Sequence, residues 1–304
     1  MKIMGTIFTQ EKVIDITTVN LKAKAISFRN KDEYEKILEL SEKEQEILIN
    51  LYKRRMGDNT LFNGECVATA MQLEGDAITF NMYKAKFYNY LTTGMVLGNY
   101  KELYLLCETQ EEKDAIYKVY TNYLALNQNN IRRLHNTSKN NDNIEKARVM
   151  FSLNGLSRVT GTVAVVYDDT SVLLVRRGND TPVCPNQISA TMGGFMTPED
   201  LNGENPFKKC LIRETEEELG IKVEDKDVNL EFMLIDNENY QPVVCATVKS
   251  DIEKLMKETN PDKFKVENSK YIHLKRSEIP QLLESDEKIV TTCSELLKTL
   301  MKGE

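Results

Sequence analysis

Histidine is almost missing from this chain, with two in 304 residues, His135 and His273. That excludes a histidine-rich zinc site and directs any metal chemistry toward carboxylates. Cysteine is also sparse. The six (Cys66, Cys107, Cys184, Cys210, Cys245 and Cys293) are scattered and none forms a C-x-x-C pair. A chain of this length needs no disulfide staples, so reduced thiols and a cytoplasmic location are expected. No apolar run approaches the roughly 20 residues that cross a bilayer, so no membrane span is expected. The opening MKIMGTIFTQEK is broken by Glu11 and Lys12 and lacks the apolar core and cleavage pattern of a signal peptide. Positive charge is in deficit, with 40 Lys and Arg against 47 Asp and Glu, a net charge of −7. Affinity for a phosphate backbone comes mostly from cations, so the balance argues against a nucleic-acid partner.

What is present reads as two domains, an N-terminal α+β domain over 1–150 and a second domain over 151–304. In the first, the alternation from Val13 to Phe28 predicts one or two strands. A helical period covers Lys31 to Met56, with Ser41 and Glu44 spaced as a capping box. Leu61 to Phe80 predicts a strand pair turning at Glu74-Gly75-Asp76. Tyr83, Phe87 and Tyr90 fit a helical stripe, and Tyr104 to Leu126 is a further helix. The polar stretch Asn127 to Asn143 is the boundary candidate. Its basic run, Arg132, Arg133, Lys139, Lys146 and Arg148 among asparagines, reads as a solvated connection. In the second domain, strands are expected at Thr162 to Tyr167, Ser171 to Arg176 and Ala190 to Phe195. A helix follows at Asn205 to Leu219. A strand pair from Leu230 to Val248 is broken at Asp236 to Tyr240, and a strand runs from Lys265 to Leu274. Two helices close the chain. A mixed sheet with helices on both faces accounts for this order.

The informative segment is Gly193 to Ile221, GGFMTPEDLNGENPFKKCLIRETEEELGI. Asn205 occupies an N-cap position and Pro206 the first helical one. Gly220 stands just past the end, where a left-handed residue is preferred. Between them, Glu214 shares a helix face with Glu217 and Glu218, three and four residues on. Three like charges on one turn weaken a helix unless a cation compensates, and a hard divalent ion with oxygen ligands would do so. Glu216 points away.

The run Arg213 to Ile221 resembles the core of the Nudix box, R-E-U-x-E-E-x-G-U, with every charged and glycine position matched. Thr215 stands where the pattern has an aliphatic residue. The Gly193-Gly194 pair is similar to the start of the box, although the loop after Gly194 is several residues longer and the early Glu falls approximately at Glu204. The resemblance implies a Nudix fold, a mixed β-sheet sandwiched between helices, in an α+β protein. It implies Mg²⁺ or Mn²⁺ held by Glu214, Glu217 and Glu218, with Glu217 and Glu218 in the catalytic group. Arg213, Gly194 and Gly220 take structural duties. The family often adds a late acidic residue, here Glu267 in a loop before the last strand.

Arg176 and Arg177 follow a strand and point to opposite faces, so one is expected to grip a substrate phosphate. The N-terminal half, with Leu61 to Gly64 and Tyr88 to Gly94, distantly resembles that of Nudix proteins that include UDP-sugar pyrophosphatases. It would pack on the hydrolase domain, build a homodimer, or touch substrate. The implied activity is metal-dependent hydrolysis of a diphosphate linkage in a nucleoside diphosphate joined to another moiety, a nucleotide sugar being favoured. The partner is then a small-molecule nucleotide. Competing readings are a nucleotide-metabolite sensor, RNA 5′-end processing, and a Nudix-fold isomerase.

Overall fold

The computed structural model describes residues 17–20, 26–30, 38–55, 63–74, 77–138, 143–179, 181, 184–202, 204–235 and 241–302. The expected turn at Gly75-Asp76, the strand break at Asp236 to Tyr240 and the helix before Leu38 fall outside these residues. Strands β1 (Thr17–Asn20) and β2 (Ile26–Asn30) come first, then helix α1 (Glu42–Arg55). The capping box at its start is formed: the Ser41 amide donates to Glu44 Oε2 at 2.8 Å and the Glu44 amide to Ser41 Oγ at 3.3 Å. Strands β3 (Glu65–Glu74) and β4 (Ala77–Lys86) pair antiparallel, and β2 joins β4 in parallel to complete a three-stranded sheet. Helices α2 (Phe87–Leu91), α3 (Gly94–Gly98), α4 (Tyr100–Leu106), α5 (Gln110–Ser138) and α6 (Asn143–Phe151) follow.

Two expectations for this half are corrected. Tyr83 is a strand residue of β4, not part of a helical stripe, and the helix begins only at Phe87. The polar stretch after Leu126 is helical, because no Gly or Pro interrupts α5 and its Asn, Gln and Arg residues tolerate a helix. Asn127, the start of the expected connection, is buried and bonds the Asn154 carbonyl at 2.9 Å.

The second half contributes β5 (Gly161–Tyr167), β6 (Ser171–Arg177), β7 (Ile188–Ser189) and β8 (Met192–Phe195), then helix α7 (Pro206–Glu218). Strands β9 (Val228–Ile235) and β10 (Pro242–Lys249) follow, with helices α8 (Ile252–Glu258) and α9 (Pro261–Glu267), strand β11 (Asn268–Lys275), and helices α10 (Ile279–Glu284) and α11 (Thr291–Lys302). The strand order is β1-β9-β10-β5-β6-β11, with β7 beside β6 and β8 beside β5. Among the described residues, only the β10–β5 pair in this sheet is parallel, so the sheet is mixed as expected. Alternation along β5 sends Ala164 and Val166 to one face, with Leu211, Leu219, Ile252 and Phe264. Val165 faces the other way, with Ile279, Cys293, Leu296 and Leu297. Helices therefore cover both faces.

The halves share backbone and core. β1, from the N-terminal half, pairs antiparallel with β9, Thr17 opposite Ile235. β3 bonds directly to the chain around β5 and β8: the Val67 amide donates to the Met196 carbonyl at 2.8 Å and the Thr160 amide to the Val67 carbonyl at 3.0 Å. Phe80 of β4 meets Phe207 of α7 edge-on at 5.0 Å between ring centres, and both rings are fully buried.

Candidate active site

The carboxylate helix is built as its sequence dictates. Asn205 Oδ1 accepts from the amides of Phe207 at 3.1 Å and Lys208 at 3.3 Å, satisfying donors that the first turn leaves over. Gly220 takes φ +74° just beyond the helix, and a β-carbon there would lie 2.9 Å from Asn260 Cβ. Thr215 is buried beneath the helix, its hydroxyl donating to the Leu211 carbonyl at 2.6 Å, so its polar group is satisfied in an apolar setting.

Arg213 ties this helix to the loop before it. Its guanidinium donates to Asp200 through Nε at 3.1 Å and Nη2 at 2.9 Å, and to the Phe195 carbonyl at 2.9 Å. Its Nη1 pairs with Glu214 and with Glu217, each at 2.9 Å. The Asp200 side chain has no exposure at all, so the two-pronged pairing is what makes its charge tolerable there. The loop partner is thus Asp200 and not Glu204, which is exposed. The signal was legible: Thr197-Pro198-Glu199-Asp200 is a capping sequence, and Asp200 Oδ2 accepts from the Thr197 amide at 2.8 Å in a 3-10 turn over Pro198–Asn202.

Of the two glycines of β8, Gly194 faces the helix and Gly193 faces strand β5. A β-carbon on Gly194 would meet the Glu214 carboxyl, so that carboxyl rests on bare backbone. The Gly193 amide donates to Glu218 Oε2 at 3.4 Å. Burial pushes the Glu214 carboxyl up to about 7, against the pull of Arg213, with Glu217 and Glu267 adding repulsion. Glu218 is raised well above the ordinary range, again chiefly by burial, then by Glu267 and Glu214.

Glu267 ends helix α9 and does not lie in a loop, because Asn260-Pro261 caps and starts a helix where a strand was expected. It pairs with Arg177 at 3.1 Å. Arg176 goes elsewhere, to the Asn186 carbonyl at 2.9 Å and Glu287 at 2.8 Å. The structure therefore gathers Glu214, Glu218, Glu267 and Arg177 at one place, with Glu217 exposed at the edge and held by Arg213. Among the described residues, no three His, Cys, Asp or Glu side chains already stand converged on a common point as metal ligands. The chemistry of the set nevertheless fits a hard divalent cation. Partly buried carboxylates repel one another on one helix face, and only oxygen ligands are offered.

Residues 157–287 match the family model of the NUDIX domain. That family acts on nucleoside diphosphate derivatives and generally uses divalent metal ions. Similar solved structures include a protein of Deinococcus radiodurans, at 17% identity over 46% of this chain and 82% of that one, TM-score 0.35. A MutT NUDIX hydrolase of Burkholderia pseudomallei is 19% identical over 46% of this chain and 95% of that one, TM-score 0.32. A bifunctional NMN adenylyltransferase/ADP ribose pyrophosphatase of Francisella tularensis, complexed with AMP and a Mn ion, is 13% identical over 75% of this chain and 64% of that one, TM-score 0.35. No curated protein matches the chain. Among the described residues, no helix is long and apolar enough to cross a membrane.

Proposed function

We propose that the protein hydrolyses the diphosphate linkage of a nucleoside diphosphate joined to a second moiety, with a nucleotide sugar as the favoured substrate, releasing a nucleoside monophosphate and a phosphorylated product. The observation that carries this reading is the gathering of Glu214, Glu218 and Glu267 beside Arg177, on a helix clamped by Arg213. Glu214, Glu217 and Glu218 would hold Mg²⁺ or Mn²⁺. When bound, such an ion polarises a phosphoryl oxygen and lowers the pKa of water.

The chain's own residues supply the rest. Glu267 accepts a proton from the attacking water, and its pairing with Arg177 keeps the carboxylate oriented. Arg177 reaches a substrate phosphate through its planar fork, whereas Arg176, already engaged with Glu287 and a carbonyl, serves the surface. Arg213 and Gly194 fix where the Glu214 carboxylate stands. Glu218 takes its bearing from the Gly193 amide.

The test is a panel of nucleotide sugars, dinucleotides, nucleoside triphosphates and capped RNA, assayed with Mg²⁺ and with Mn²⁺ for released mononucleotide. Turnover of a nucleotide sugar is expected, with Glu267→Gln lowering kcat about a hundred- to ten-thousand-fold at little change in KM. Tight binding without turnover would establish a sensor in its place, and preference for capped RNA would establish 5′-end processing.

A further inference from the structure

A cavity of about 50 Å³ has Glu218 of α7 and Asn268 of β11 in its wall, together with Arg177, Gly193, Val163 and Val175. Two polar groups in that wall are short of protein partners. Asn268 is 4% exposed, and its side-chain Oδ1 is buried with no protein donor within reach. Buried amide oxygens are bonded in the great majority of cases, and leaving one bare costs its full desolvation. Glu218, part-buried, accepts a single long bond from Gly193 at 3.4 Å. The β6–β11 register supplies a reason for the placement. Asn268 stands opposite Arg177, and the pairing slips between Asn268 and Lys270. Such bulges re-aim a side chain, and here the amide lines the cavity.

We propose that Asn268 is a positioning residue whose amide holds an ordered water in this cavity, and that the water braces the Glu218 carboxylate in the orientation used to ligate a divalent cation. The cavity exceeds the roughly 10–15 Å³ that one water requires, and it offers polar groups on more than one side. A water between the two satisfies both the amide oxygen, by donating to it, and the carboxylate, through its second proton. Outer partners of this kind orient ligating carboxylates. The inference rests on the assignment of Glu218 as a ligand made above.

The experiment uses the full chain and Mn²⁺ alone, with no nucleotide. Binding is followed by the electron paramagnetic resonance signal of free Mn²⁺, and thermal unfolding is recorded in EDTA. Asn268→Leu, close in volume but apolar, is expected to weaken Mn²⁺ binding about 10- to 100-fold. Asn268→Ser, which leaves room for a second water, is expected to stay within about three-fold of wild type. If the leucine variant does not fold, Asn268→Val, smaller and equally apolar, is read in its place with the same expectation. A crystal structure of the wild type is expected to show a water bonded to Asn268 Oδ1. The proposal is overturned if Asn268→Leu binds Mn²⁺ like wild type, or if it unfolds at a higher temperature with affinity unchanged, as removal of an orphaned group would. If Glu218→Gln binds Mn²⁺ as tightly as wild type, the ligand assignment itself fails and this inference falls with it. That result is separate from any obtained with the Asn268 variants.

Discussion

A β-carbon at position 194 would collide with the Glu214 carboxyl, whereas one at position 193 would strike the Thr162 carbonyl oxygen at 2.6 Å and Val163 Cα at 3.0 Å. The obstacles differ in kind. The Glu214 carboxyl is the far end of a flexible side chain and can swing aside, while strand β5 cannot. Gly194→Ala is therefore expected to leave the unfolding temperature nearly unchanged and to lower kcat about a hundred-fold by moving a ligand. Gly193→Ala is expected to destabilise the fold by about 1–3 kcal/mol through overpacking. Parallel melting and rate measurements check the pair. Equal losses of stability in both variants would refute the distinction.

At the scale of elements, α7 was legible almost to the residue. Asn205-Pro206 and Gly220 are local signals, and local signals survive into the fold because caps act within one turn. What misled was of another kind. Tyr83, Phe87 and Tyr90 share a spacing that suits a helix, yet Tyr83 is drawn into β4 by ten residues of pairing with β3, which no local pattern reveals. Glu267 was expected beside a strand and instead ends a helix, because the Asn260 side chain caps Pro261–Glu267. Asp200 was missed because its partner lies thirteen positions away, across an enlarged loop. The same helix carries a pH prediction. The folded value of Glu214, about 7, lies above the ordinary 4.5, and Glu218 is shifted in the same direction. With carboxyls raised in the native state, their contribution to stability is whole at low pH and is lost as pH climbs from about 4.5 through about 7. In EDTA, the melting temperature is thus expected to fall between pH 5.5 and pH 8, with Glu214→Gln flattening the fall and added Mn²⁺ restoring stability at pH 8. A metal-free melting temperature that rises over this range would contradict the assignment.

At the scale of the whole molecule, the two stretches of sequence share core residues. One apolar cluster contains Phe80, Met82 and Tyr120 from the first half with Met196, Phe207 and Val244 from the second. We propose that 1–150 and 151–304, although distinct as stretches of sequence, unfold as one cooperative body. Phe80→Ala, remote in sequence from every carboxylate of the site, is expected to cost about 3–5 kcal/mol and to lower a single calorimetric transition. Two transitions, with only one displaced, would count against a shared core. The edge strand that joins the halves has a further consequence, in time. The partner of Thr17–Asn20, Phe232–Ile235, is made roughly 200 residues after it. At about 5–20 residues per second the first strand waits some tens of seconds before its hydrogen bonds can form. Through that interval Thr17–Asn20 lacks the strand it pairs with, and the nascent chain depends on whatever keeps those backbone groups from pairing elsewhere until β9 has emerged.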